Sequence, residues 1–140
     1  MLEKEQIDKF FVEELKIIQD IIKRMAFNSF MIKGWAVTLV VVTLLLKGDR
    51  YQVLIAFIPL LVFWFLDAYF LRQERLYREL YKWVVVNRLK TEEYLFDMNS
   101  YRFKDNVQSK LRIMFSITLG WFYGAVGVLT AIYAVTLLCT

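Results

Sequence analysis

The chain has 140 residues, 59% of them hydrophobic and 17% aromatic, with a net charge of +4. A soluble domain averages about 45–50% apolar residues, so this composition points to the membrane class. Histidine is absent and Cys139 is the only cysteine, which excludes an intrachain disulfide, a Cys–His nucleophile and the common zinc sites.

Residues 3–27 carry Ile7, Phe10, Phe11, Leu15, Ile18, Ile21, Ile22 and Met25 at three- and four-residue intervals, with mixed charges opposite. This pattern predicts an amphipathic helix over residues 1–29 that packs on a partner helix, with a break or N-cap at Asn28–Ser29. The apolar run at residues 30–46 follows as a first membrane span of about 25 Å, with Lys33 at one end. "KGDR", residues 47–50, reads as a tight turn. A second span covers residues 51–71, with Pro59 expected to kink it. Its helix continues to residue 90, with Leu76, Leu80, Trp83, Val84 and Leu89 as an apolar stripe beside basic side chains. Residues 91–110 read as a loop, and residues 111–138 as a third and longest span. The expected fold is therefore all-α and integral to the membrane, in one membrane domain over residues 1–140.

Lys and Arg place six charges before residue 34, two between the first spans and ten in residues 72–112. The positive-inside tendency then puts the N-terminus and the 72–112 segment in the cytoplasm, and the C-terminus in the periplasm of a bacterium. No cleavable signal peptide is expected, because Glu3, Glu5 and Asp8 open the chain. Basic residues flanking apolar spans report topology, so no readout of double-stranded DNA is expected.

Three groups of residues are candidates for function. Counted from the turn, Lys33 and Asp67 reach similar depth on neighbouring spans, which predicts an ion pair. The third span holds the "GWFYG" motif, and Ser116, Gly120, Gly124, Gly127 and Ala131 present small side chains for helix packing. That surface serves either another span of the same chain or a second copy. Thr38, Thr43, Thr118 and Thr130 are candidate pore-lining hydroxyls, with Tyr133 and Thr136 beside them; the alternative is that they bond to their own helix carbonyls. No catalytic constellation, cofactor or metal site is expected, and the protein reads as a non-enzyme.

The stretches "SFMIKGW" and "FWFLDAYFLRQERLYREL" join an amphipathic helix, a tight membrane hairpin and a basic continuing helix. Over roughly residues 1–90 this arrangement resembles the SLATT family, small bacterial membrane proteins associated with nucleotide-second-messenger synthases in antiviral defence loci. The third span departs from the family's minimal two-span pattern. The resemblance implies a homo-oligomeric inner-membrane effector that permeabilises the membrane as a channel under a nucleotide signal or a soluble defence partner. Arg72, Arg75, Arg78, Lys82, Arg88 and Lys90 are then the candidates for contacting an anionic signal. The rival reading is a non-conducting membrane anchor that recruits a soluble partner through its cytoplasmic helices. A transporter coupled to one membrane acid ranks last, because Asp67 lies near the edge of its span.

Overall fold

The computed structural model describes residues 2–46 and 49–140, so Lys47 and Gly48 of the expected "KGDR" turn lie outside the described residues. Five α-helices occur among the described residues, in chain order: α1 (Lys4–Leu45), α2 (Gln52–Ile55), α3 (Phe57–Asn87), α4 (Lys110–Met114) and α5 (Ile117–Leu138). A 3-10 helix, Ser100–Asn106, lies between α3 and α4, and there is no strand among the described residues. Three helical stretches are long and apolar enough to cross a membrane: Lys4–Leu45, Gln52–Asn87 and Ile117–Leu138. Only 17–28% of each apolar window is buried inside the protein, leaving most of that surface for lipid or for other chains.

The expected break at Asn28–Ser29 does not occur, and α1 runs unbroken for 42 residues, about 63 Å at helical rise. Neither glycine nor proline is present to end the first half. The Ser29 side chain is buried and turned toward another helix instead of capping its own. Pro59 acts more strongly than the expected kink. Its ring conflicts with the carbonyl four residues earlier, at Ile55, and it lacks an N–H donor. The chain therefore stops α2 at Ile55 and restarts α3 at Phe57, which places Pro59 in a first turn where no donor is needed.

The expected extension to residue 90 is shorter, because α3 ends at Asn87 and Arg88 turns inward. Residues 91–110 are not a simple loop. Asn99 accepts a bond from the Tyr101 N–H to open the 3-10 helix, and Ser109 accepts one from Arg112 to open α4. The expected span from residue 111 is interrupted at Phe115–Ser116, leaving α5 with 22 residues. At about 1.5 Å per residue this still covers a hydrocarbon core of roughly 30 Å.

α3 is the central element and packs against α1 along their length. Two cores result. One joins Ala36 and Val40 of α1 to Leu60 and Ala68 of α3 and to Leu119 and Tyr123 of α5. The other joins Ile18 to Leu80 and Val84, covered by Met98 and Phe103 from the connecting segment. The first core lies in the apolar part of the molecule, and the second in the charged two-helix stalk.

Candidate functional site

The boundary between the two cores holds the largest cluster of polar contacts within the apolar part. Ser29 and Lys33 stand four residues apart on α1, one above the other on a single helix face. Asp67 of α3 faces them and is fully buried. Lys33 Nζ lies 2.7 Å from Asp67 Oδ2 and donates to Ser29 Oγ at 2.9 Å. The Ser29 hydroxyl donates in turn to Asp67 Oδ1. Tyr123 of α5 donates its hydroxyl to Asp67 Oδ2 at 2.9 Å. One carboxylate thus accepts hydrogen bonds from two other helices.

Aromatic side chains close this cluster. Trp64, one turn before Asp67, stacks on Tyr123 with ring centroids 5.9 Å apart and planes 12° apart. Its indole N–H donates to the Met114 carbonyl at 2.8 Å, next to the break between α4 and α5. An isolated carboxylate in such surroundings would be costly, and three donors with one positive charge offset that cost. Lys33 keeps 24% of its side chain exposed, whereas Asp67 has 0%. The Ser29 hydroxyl and the Asp67 carboxylate are both engaged within the cluster, and no group of three or more His, Cys, Asp and Glu among the described residues could hold a metal. Chemically it is a pin that joins three helices.

The sequence relates Lys33 to Asp67 by depth but does not single out Ser29 and Tyr123 as their partners. Ser29 offers a cap in the sequence, although its spacing of four from Lys33 is the available signal. Tyr123 lies inside "GWFYG", where the flanking glycines are the stronger pattern.

The small residues of α5 divide between two faces. At Gly127 an added methyl group would meet Leu60 Cδ2 at 3.5 Å, so that position packs against α3. At Gly124 nothing among the described residues lies within 4 Å, and at Gly120 the neighbours are backbone atoms of Phe115. Ser116, Gly120 and Gly124 line an outward groove of about 740 Å³, flanked by Trp121 and Leu129. Ala131 is exposed, and the buried Ser116 Oγ has no hydrogen-bond partner among the described residues. Among the described residues no span of this chain packs onto Gly124 in this groove. α1 carries a second outward groove of about 290 Å³, lined by Phe30, Met31, Gly34, Trp35 and Thr38. Gly34 also has nothing within 4 Å among the described residues.

The candidate pore hydroxyls are mostly engaged locally. Thr38, Thr43 and Thr130 each donate at 2.8 Å to the carbonyl four residues earlier, and Thr136 donates to Tyr133. Thr130 is moreover buried inside the bundle, and only Thr118 faces outward without such a bond among the described residues.

The anionic-signal candidates separate in the same way. Arg88 is 2% exposed and is not available to a ligand. Its Nε and Nη2 grip Glu14 at 2.6 and 2.9 Å, while further bonds reach the carbonyls of Thr91, Glu93 and Tyr94. Arg78 is paired with Glu74 and Lys82 with Glu79, both at 2.6 Å. Arg72, Arg75 and Lys90 have no carboxylate within ion-pair distance among the described residues. No family model matches the chain, and neither a curated protein nor a solved structure matches it.

Proposed function

We propose that the protein is an oligomeric, multi-pass membrane effector whose copies assemble through the outward faces of α1 and α5. The observation that carries this reading is the pair of uncovered glycine faces at one depth. Lys33 and Tyr123 both reach Asp67, so their sequence neighbours Gly34 and Gly124 lie within about one helical turn of each other. In a three-span topology α1 and α5 run in the same direction. The α5 groove of one copy then receives the α1 face of the next, and small residues let the two backbones approach closely. Unlike faces meeting in this way form rings where the rotation between copies closes, rather than two-fold dimers.

A ring supports the channel reading, in which the basic stalk faces the cytoplasm of a bacterium and receives the signal. The resemblance of residues 1–90 to the SLATT family supports the same function, permeabilisation of the inner membrane in antiviral defence. Efflux of potassium from liposomes that hold assembled protein is the test. Loss of the gradient is expected, whereas assembled protein that leaves it intact overturns conduction.

A second reading, a non-conducting scaffold, is favoured by one specific feature. Val85, Val86 and Leu89 expose 43%, 58% and 60% of their surface on the stalk, where lipid does not reach. Such a patch suits a soluble partner. Intact rings without flux would leave this reading standing.

A further inference from the structure

We propose that Arg72, Arg75, Lys104, Lys110 and Arg112 form a collar that binds the phosphates of anionic phospholipids at the membrane surface. This inference rests on the three-span reading but not on ring formation or conduction.

The collar is assembled from distant parts of the sequence. Arg72 Nε donates to the Gln108 carbonyl at 3.2 Å, which holds the segment before α4 alongside α3. The Tyr101 ring lies 5.9 Å from the Arg72 guanidinium and 5.4 Å from the Lys104 ammonium. Lys110 Nζ sits 5.4 and 5.6 Å from the Phe65 and Tyr69 rings. Between α3 and this segment lies a cleft of about 300 Å³ lined by Arg75, Asn106 and Gln108 and, at its other side, by Arg78, Lys82 and the Glu79 carboxylate, which Lys82 neutralises at 2.6 Å. Two amides and a guanidinium there can donate to phosphate oxygens.

Depth selects the ligand. Leu61, Val62 and Phe65 are exposed apolar residues, the exposed Tyr69 ring follows them, and Arg72 is the first cation of α3, so the hydrocarbon ends near residues 67–69. Lys110 is held at that level by Phe65 and Tyr69. Arg72 and Arg75 follow at about 7 and 12 Å along the helix, which spans the headgroup layer of roughly 5–8 Å and its outer edge. Arg112 is exposed on α4, five residues before the start of α5.

Charge balance points the same way. Lys33, Arg78, Lys82, Arg88 and Arg102 each have a carboxylate within 4.0 Å. None of the five collar cations has one among the described residues, and Asp105 is the only acid in residues 101–112.

The test uses the full chain in detergent micelles with phosphatidylglycerol or phosphatidylcholine, with bound lipid counted by native mass spectrometry. The wild type should retain phosphatidylglycerol in clear preference to phosphatidylcholine. Removing three collar charges together (Arg72→Gln, Arg75→Gln, Lys110→Gln) should weaken retention on the order of 100-fold, about fivefold per cation. Removing three distant charges (Lys4→Gln, Lys9→Gln, Lys16→Gln) should change it little. A charge-keeping variant, Arg72→Lys with Arg75→Lys, should retain most binding and guards against a folding defect in the first variant. Equal losses in the two neutralised triples, or no headgroup preference in the wild type, would overturn the proposal. Displacement of the lipid by millimolar inorganic pyrophosphate would also overturn it, by identifying a site for soluble anions.

Discussion

Arg88→Met tests whether the connecting segment is folded by one buried arginine. The substitution removes two bonds to Glu14 and three to the carbonyls of Thr91, Glu93 and Tyr94. It leaves Glu14, 0% exposed, as an unpaired buried charge. Breaking such a pair costs about 3–5 kcal/mol. Part of this is offset when Tyr94 and Phe96, held at φ 57° and 55°, relax from a left-handed backbone that disfavours bulky residues. A net loss of about 3 kcal/mol is expected, read as a lower melting temperature by circular dichroism. Chymotrypsin should also cut between Tyr94 and Phe103 well before the rest of the chain. Glu14→Leu should cost less, because Arg88 keeps its three carbonyl acceptors. The double variant should be more stable than Arg88→Met alone, since no charge is then stranded. Additivity of the two single losses within about 0.5 kcal/mol would refute the reasoning.

Lys33→Met should destabilise the bundle by roughly 3–5 kcal/mol, more than Asp67→Leu. Lys33 can reach water when its partner is lost, whereas Asp67 is enclosed; denaturation of the two variants in matched micelles gives the order, and the reverse order would count against the pin. Gly127→Leu should cost about 1–3 kcal/mol by overpacking against Leu60. Gly124→Leu should leave the fold intact and reduce oligomer size by analytical ultracentrifugation, and identical behaviour of the two variants would remove the assignment of faces. Trp64→Phe should lower stability by about 1 kcal/mol through the bond to the Met114 carbonyl, measured in the same denaturation assay.

Much of the architecture was legible because membrane-length helices announce themselves by length and apolar composition. The ends were less so, because they depend on contacts between distant residues. Ser29 stays helical because Asp67 engages its hydroxyl, and no local rule reports that. Pro59 carries a local rule, but the rule allows both a kink and a restart. Arg88 shows the limit most clearly. Its neighbours Lys82 and Lys90 are solvent-facing cations, and only the placement of Glu14, 74 residues earlier, makes Arg88 a buried hub. For the candidate site, depth counting related Lys33 to Asp67. Tyr123 required knowing which face of α5 turns inward, and its small-residue pattern marks two faces at once.

The central claim, that unlike faces of α1 and α5 meet between copies, is tested most directly by mixed-copy cross-linking. In a Cys139→Ser background, one preparation carries Thr38→Cys and the other Ala125→Cys, and both are reconstituted together and oxidised. The account predicts a disulfide-linked dimer in the mixture and little in either preparation alone. Efficient cross-linking of the Ala125→Cys preparation with itself, and none between the two, would contradict it.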